Sequence, residues 1–160
     1  MRRRTLRSDS VSIHVSAPPE RVYELVSDVT RMGEWSPECY RCEWVGERTS
    51  PVVGARFKAH NKRGFLRWSN TPTVVVADAG REFAFSRTMP GSGEYRWRYK
   101  MTPGPDGSTE LNETYEAVRP ERRLNSAMAN LFTPQRDEAT HLRRGMETTL
   151  AAIKRTAEVN

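Results

Sequence analysis

Residues 94–101 read EYRWRYKM, and this segment decides the fold class because apolar and charged side chains alternate without interruption. In an extended chain, Tyr95, Trp97, Tyr99 and Met101 would share one face and the charged residues the other. Strict alternation of this kind predicts a strand of an antiparallel sheet with one face in water. The apolar face then requires a second layer to cover it.

Further strands are predicted on both sides of this segment. Alternation or runs of β-branched residues occur at residues 9–16, 40–46, 56–61, 66–78, 83–88 and 109–118. Pro72 lies inside one of these runs and predicts an edge or a bulge there. The pattern therefore predicts an antiparallel sheet of about seven strands.

Helical spacing appears after the first strand and again at the C-terminus. Apolar residues at positions 22, 25, 26 and 29 predict one short helix, and Thr30 is placed to cap a second one toward Trp35. A short helix is also predicted around residues 124–132. Beyond it, a helix of about 24 residues is predicted by an apolar stripe through Leu142, Met146, Leu150, Ile153 and Ala157.

The composition is that of one folded domain. The chain has 160 residues, of which 36% are hydrophobic and 29% charged, with four Trp, five Tyr and five Phe. Aromatic content at this level argues against disorder, and no apolar run approaches the roughly 18 residues of a membrane span. Residues 1–7 are basic without a following apolar stretch, so no secretory signal is predicted. We expect a disordered or frayed N-terminus over residues 1–7, a single domain over 8–160, no integral membrane segment and a cytoplasmic location.

The net charge of +6 comes mainly from arginine, which supplies 22 of the 26 basic residues. An excess of this kind can indicate an acidic partner such as nucleic acid. It can also reflect arginines spread over solvated faces by a biased codon usage. Acidic residues are interspersed along nearly the whole chain, and the only dense basic run is at residues 2–4. The second interpretation is favoured, and no nucleic-acid partner is expected.

Cys39 and Cys42 form a C-x-x-C pair, which can be half of a metal site or a redox pair. A zinc site would need two more ligands at suitable spacing, and His14, His60 and His141 are scattered. Residues three apart in a strand point to opposite faces, so the pattern predicts reduced structural thiols that lie apart. Nucleotide-binding glycine motifs are absent from the sequence. No metal and no cofactor are expected.

The predicted order of elements resembles the helix-grip fold of the START-like, or SRPBCC, superfamily. Its members include polyketide cyclases/dehydratases, coenzyme Q-binding proteins, lipid-transfer domains and proteins similar to the birch-pollen allergen. Residues 13–28 read IHVSAPPERVYELVSD and look like the family's opening of strand, Ala-Pro, helix and Asp. Further similarities are WSP at residues 35–37, GARF at 54–57, and the last hairpin at 97–103 and 107–111.

The resemblance covers nearly the whole chain and rests on packing motifs. It implies an α+β helix-grip fold, in which a curved antiparallel sheet of about seven strands wraps around a long C-terminal helix. Two short helices follow the first strand in such a fold. An elongated cavity between sheet and helix would hold a hydrophobic small molecule such as a lipid, a polyketide or a quinone.

The inward faces of the predicted strands are rich in aromatic residues, which is typical of small-molecule pockets. The ligand-binding candidates from strands and the short helix are Trp35, Trp44, Phe57, Phe83, Phe85, Tyr95, Trp97, Tyr99 and Tyr115. The candidates from later helical segments are Met128, Phe132, Leu142 and Met146. The alternative is that these side chains only fill a core. Together they favour a pocket, because one helix cannot cover so long a curved sheet.

Two charged residues interrupt the inward apolar pattern. Glu113 lies between Leu111 and Tyr115, and Arg87 follows Phe85. Because an unpaired buried charge is costly, such groups are paired or have shifted pKa values; we therefore expect Arg87 and Glu113 to pair across the intervening strand. They are the catalytic candidates: Arg87 would polarise a ligand carbonyl while Glu113 or a tyrosine moves a proton. The alternative is a strand-end salt bridge that reaches solvent.

Two functions follow from the resemblance. The first is binding or transport of a hydrophobic small molecule without catalysis. The second is polyketide cyclase, aromatase or dehydratase activity on a substrate in the same cavity. Either function suits a monomer or a homodimer.

Overall fold

A computed structural model describes residues 8–88, 93–119 and 138–159. Its helices, in chain order, are α1 (Pro19–Ser27), two 3₁₀ helices (Val29–Glu34 and Pro105–Gly107) and α2 (Glu138–Ala157). Its strands are β1 (Ser8–Val15), β2 (Cys39–Val45), β3 (Arg56–Arg63), β4 (Leu66–Asn70), β5 (Thr73–Asp78), β6 (Glu82–Thr88), β7 (Glu94–Pro103) and β8 (Thr109–Arg119).

All the strands belong to one antiparallel sheet. Seven strands form a continuous path in the order β1-β8-β7-β6-β5-β3-β2, and β4 pairs with β3 beside this path. The first strand lies next to the last, in a register that runs from Ser8 opposite Glu116 to Val15 opposite Thr109. The helix-grip fold expected from the sequence is confirmed, with the curled sheet around the C-terminal helix.

Pro72 separates β4 from β5, so the segment 66–78, predicted as one strand with an edge or a bulge at Pro72, forms two strands. Proline has no N–H to donate to a ladder, so a strand is interrupted where it occurs. β4 pairs with the second half of β3, whereas β5 pairs with β3 only at Arg56. A bulge then shifts the register between Val74 and Val76. These irregularities lie where the pairing partner of β3 changes from β4 to β5.

Two short helices follow β1, as expected. Pro19 occupies the first turn of α1, where a missing N–H costs nothing. The 3₁₀ helix at Val29–Glu34 is capped by Asp28, whose carboxylate accepts a hydrogen bond from the backbone N–H of Thr30 at 3.2 Å. The assignment of Thr30 as the cap is therefore wrong, because the residue before the helix supplies the acceptor.

The predicted apolar stripe of helix α2 faces the interior of the protein. Met146, Leu150 and Ile153 are buried, and Leu142 is half-buried. The helix packs against β1, α1 and β8. The core thus lies between α1, α2 and the inner face of the sheet, with Phe57, Phe83 and Leu111 among the fully buried side chains.

Three predictions lie outside the described residues: the frayed segment 1–7, the short helix around 124–132 and the first residues of the long C-terminal helix. Among the helices that are described, none combines the length and apolar character required to cross a bilayer.

Candidate functional site

The register of β6, β7 and β8 arranges the inward residues in three rows. Residues opposite one another in an antiparallel pair share a face, so each row crosses all three strands. The first row is Phe83, Tyr99 and Glu113; the second row is Phe85, Trp97 and Tyr115; the third row is Arg87, Tyr95 and Ala117.

A chain of ring contacts crosses this inner face from β2 to β8. Neighbouring ring centroids are 5.0–5.9 Å apart along the series Trp44, Phe57, Phe85, Trp97, Tyr115 and Tyr95. Phe83 joins it through Phe85, at 6.2 Å. Along the series from Trp44 to Tyr95, three contacts are edge-to-face and two are stacked, and both arrangements are favourable for aromatic pairs. The sequence predicted each of these residues individually, and the structure joins them in one aromatic chain.

The aromatic chain is not equally covered along its length. Phe57, Phe85 and Tyr95 are buried, whereas Trp97 and Tyr115 are half-buried. Half-buried aromatic surface on the inward face of a sheet is surface that a bound apolar molecule can cover.

Glu113 is the buried polar group of the first row. Its side chain is 3% exposed, and its Oε1 accepts a hydrogen bond from the hydroxyl of Tyr99 at 3.1 Å. Its other oxygen, Oε2, is buried and has no hydrogen-bond partner among the described residues. A buried polar atom without a partner is costly, and such atoms often mark positions where a ligand binds.

Burial controls the protonation of this pair. It raises the pKa of Glu113 to about 8, and the hydrogen bond from Tyr99 offsets the effect only in part. Burial, and then the negative charge of Glu113, raises the pKa of Tyr99 well above its usual value. At neutral pH the pair is therefore uncharged, and the protonated carboxyl can both donate and accept a hydrogen bond.

Arg87 is the charged group of the third row. Its guanidinium lies 5.1 Å from the ring centroid of Tyr95 and 5.9 Å from that of Trp97, so it contacts one end of the aromatic chain. Its Nε is buried and has no hydrogen-bond partner within the described part of the chain. Cation–π contacts of this kind hold a guanidinium on an aromatic surface without neutralising it.

The expected pairing of Arg87 with Glu113 is wrong. The register places Arg87 opposite Tyr95 and Glu113 opposite Tyr99, four residues apart on β7. Four residues of strand span about 13 Å at a rise of ~3.3 Å per residue, which is too far for an ion pair. Each group is instead stabilised by the aromatic residue beside it, and the inner face carries one polar group on either side of the second row.

The remaining predicted site residues come from the helical segments of the sequence. Trp35 is buried at the end of the first 3₁₀ helix, with the guanidinium of Arg31 at 5.3 Å from its ring centroid. Leu142 and Met146 are on the stripe of α2 that faces inward. Met128 and Phe132 fall outside the described residues, so their predicted roles stay predictions.

The cysteine pair departs from the expected strand geometry. A bulge between Cys39 and Arg41 shifts the register of β2 against β3, so that Cys39 and Cys42 both point inward. Their Sγ atoms are 3.3 Å apart without a disulfide bond. The hydrogen bond between the thiols lowers the pKa of Cys39 and raises that of Cys42. The thiols are free, as expected, but the expectation that they lie apart is wrong because the bulge adds a residue to the strand.

Two surface pockets lined by described residues lie elsewhere. A groove of about 230 Å³ on the outer face is lined by Arg96, Arg98, Lys100, Asn112, Thr114 and Glu116. A second pocket, of about 520 Å³, lies beside the start of α1 and the end of β7. Neither is on the inner face, so the elongated cavity expected between sheet and helix stays a prediction.

Comparison with known proteins agrees with this architecture. The sequence model of the family described as "Polyketide cyclase / dehydrase and lipid transport" matches residues 8–158. The chain belongs to this family. The match supports a fold that binds hydrophobic ligands. No curated protein matches the sequence.

Solved structures of family members and of related folds are similar over almost the whole chain. The Polyketide_cyc-like protein Cgl2372 from Corynebacterium glutamicum is 36% identical, with a TM-score of 0.59 over 95% of this chain and 91% of that one. The Zhui aromatase/cyclase from Streptomyces sp. R1128 is 21% identical, with a TM-score of 0.73 over 95% and 93%. A START superfamily protein from Mycobacterium smegmatis is 14% identical, with a TM-score of 0.71 over 95% and 97%. The last two show the fold alone.

Proposed function

We propose that this polyketide cyclase/dehydrase and lipid transport family member binds a flat, hydrophobic small molecule against the inner face of its sheet. The observation that carries the proposal is the aromatic chain: its half-buried members Trp97 and Tyr115 lie between Glu113 and Arg87, each of which has a buried polar atom without a partner among the described residues. Aromatic surface combined with a few polar groups is typical of small-molecule sites.

The arrangement of the rows favours an elongated ligand. Glu113 and Arg87 are separated by about 13 Å along the strand direction, and the second row, with Phe85, Trp97 and Tyr115, lies between them. A fused-ring or conjugated molecule can stack on these rings over its length. Quinones, aromatic polyketides and flat lipids share this shape.

The two polar groups favour oxygen functions on the ligand. The protonated carboxyl of Glu113 can donate from Oε2 to a carbonyl and accept from a hydroxyl. Arg87 keeps its positive charge and can donate to a carbonyl or an enolate. A hydrogen bond to a buried polar atom is most stabilising where water is excluded. Stacking on the rings would hold the ligand, and these hydrogen bonds would fix its orientation.

Native mass spectrometry of the purified protein tests the proposal, because it detects a co-purified small molecule by its mass. A titration of ligand-free protein with a flat naphthoquinone probe, followed by tryptophan quenching, gives the affinity. We expect Trp97→Leu and Arg87→Leu to weaken binding by about tenfold or more, as the loss of a stacking or a charged contact implies. Phe65→Ser, at an exposed aromatic far from the inner face, is the matched control and should bind as the wild type does.

The proposal fails if folded Trp97→Leu and Arg87→Leu variants bind the probe as tightly as Phe65→Ser does. It also fails if the wild type neither co-purifies with an apolar molecule nor quenches with any flat probe.

Intramolecular aldol cyclisation is a second candidate function, favoured by the hydrogen bond between Tyr99 and Glu113. The ionised carboxylate of Glu113 would take a proton from a carbon between two carbonyls, the hydroxyl of Tyr99 would donate to the enolate oxygen, and Arg87 would bind a carbonyl further along the substrate. The enolate carbon then attacks a second carbonyl, and Glu113 returns the proton to the new alkoxide. No electron is transferred, and loss of water from the resulting hydroxyl completes aromatisation.

A pH profile separates the two functions. With a poly-β-ketone thioester mimic as substrate, a cyclase should form product at a rate that rises through about pH 8, where Glu113 ionises. Glu113→Gln should bind the mimic and form no product. Binding of the mimic by the wild type without turnover at any pH from 6 to 9 would leave binding alone as the function.

A further inference from the structure

Three sulfur atoms meet where β2 begins. The Sγ atom of Cys42 is 3.3 Å from Sγ of Cys39 and 3.8 Å from Sδ of Met32. Both thiols are 5% exposed and are not joined by a disulfide. The C-x-x-C spacing shows only two of these ligand-type atoms, because Met32 lies on the preceding 3₁₀ helix.

Backbone contacts hold this sulfur cluster together. The bulge in β2 brings Cys39 to the side of Cys42, and the backbone N–H of Cys39 is held by the hydroxyl of Ser36 at 3.0 Å. The 3₁₀ helix packs on the bulge at Gly33, where a Cβ atom would be only 2.4 Å from the backbone oxygen of Tyr40. Only glycine permits this close approach, which keeps the neighbouring Met32 against Cys42.

We propose that Cys39, Cys42 and Met32 form a binding site for a monovalent copper ion. Thiolate and thioether sulfurs are soft ligands, and this combination selects Cu(I) over the harder divalent ions. A structural zinc site uses four ligands. Among the described residues, no group of three or more His, Cys, Asp or Glu side chains is placed to hold a metal ion.

The spacing of the sulfur cluster suits a metal better than a disulfide. A metal–sulfur bond of about 2.3 Å, the length found in zinc thiolates, puts the sulfurs of a trigonal site about 4 Å apart. The separations of 3.3 Å and 3.8 Å need only a small expansion to reach it. A disulfide would instead require the two Sγ atoms to approach to about 2.05 Å.

The surroundings of the sulfur cluster provide access for an ion. Met32 is half-buried at the surface end of the cluster, so an ion can reach the thiols past its flexible side chain. Binding releases both thiol protons to the buffer and transfers no electron.

The test is an anaerobic titration of reduced protein with Cu(I) held by the chromogenic chelator bicinchoninate. We expect the wild type to take one copper ion per chain from the chelator. Met32→Leu should bind the ion about tenfold more weakly, which is the lower limit of the losses in metal affinity usual when the surroundings of a metal site are altered. Met101→Leu replaces another buried methionine and should behave as the wild type. X-ray absorption should show three sulfur neighbours in the wild type and two in Met32→Leu.

Several results would overturn the site. It fails if the wild type cannot compete with bicinchoninate, if Zn(II) binds more tightly than Cu(I), or if Met32→Leu matches the wild type in both affinity and sulfur count. Cys39→Ser and Cys42→Ser should abolish binding. Met32→Leu keeps the test decisive even if these two variants fail to fold, because leucine is close to methionine in volume.

Discussion

The first row and the third row lie on the same inner face, yet their charged residues are in opposite environments. Glu113 is enclosed with Phe83 and Tyr99, close to α1, whose Tyr23 contacts Phe83 edge-on at 6.4 Å. Arg87 is only half-buried and lies over aromatic rings. The two environments differ in how far the sheet is covered. Near α1 the carboxyl of Glu113 is fully buried and is neutralised by protonation. Further along the strands the guanidinium of Arg87 is partly exposed and is stabilised by aromatic ring faces.

Among the substitutions considered, removal of the Glu113 carboxyl should have the largest effect on stability. The pKa of Glu113 is raised from 4.5 to about 8, so the folded state holds a proton that the unfolded state loses between these pH values. Stability therefore falls as pH rises through this window, by up to ~1.4 kcal/mol per unit. Glu113→Gln should remove this slope and exceed the wild type by about 3 kcal/mol at pH 7.

Urea unfolding at pH 5, 6, 7 and 8 measures this effect. Glu116→Gln, on the outer face of the same strand, is the control and should keep the wild-type dependence. If Glu113→Gln and the wild type lose stability in parallel as pH rises, burial does not keep Glu113 protonated, and the contrast between the first and third rows is wrong.

Removing the hydroxyl of the first row should have a smaller effect. Tyr99→Phe leaves both oxygens of Glu113 without a described partner, which should cost about 1–2 kcal/mol. Because the hydrogen bond from Tyr99 lowers the pKa of Glu113, the variant should raise that pKa above the wild-type value. Carbon-13 NMR titration of labelled glutamate side chains measures it. An unchanged or lower pKa would show that the bond does not act on Glu113.

Changing the third row should have a still smaller effect on stability. Arg87→Leu removes the contacts with Tyr95 and Trp97, which are worth about 1 kcal/mol when partly exposed. Unlike Glu113→Gln, it should leave the pH dependence of unfolding unchanged, because arginine side chains in proteins do not lose their proton. Unfolding curves at pH 5 and pH 8 check this, with Arg87→Lys as the charge-preserving comparison. A changed pH slope would mean that the two rows are coupled despite their separation.

The smallest expected effect is in α2, outside both rows. Among the described residues, a Cβ atom on Gly145 would meet Cγ of Pro37 at an ordinary contact distance of 3.8 Å. Gly145→Ala should therefore stabilise the protein by about 0.5 kcal/mol through the lower entropy of the unfolded chain. Thermal unfolding measures it, and both rows should keep their responses in this background. A loss of stability would indicate that α2 packs more tightly there than this contact implies.

Local patterns predicted many of the components of the site. Alternation placed Phe85, Trp97 and Tyr115 on inward faces, and the interruption of that alternation identified Arg87 and Glu113 as unusual. The pairing partner of each was wrong, because register depends on which residues of distant strands lie opposite one another. The copper ligand Met32 carried no local signal at all.

The motifs of the sequence resembled those of the helix-grip fold, and its patterns by themselves determined most of the strands, the apolar stripe of α2 and the aromatic character of the inner face. These follow from periods of two and of about 3.6 residues, which are properties of neighbouring side chains. The tertiary structure alone decided that Glu113 meets Tyr99, that Arg87 rests on Tyr95, and that a bulge brings Cys39 beside Cys42. One residue of register shift exchanges the faces of a strand, so these contacts depend on the pairing of the whole sheet.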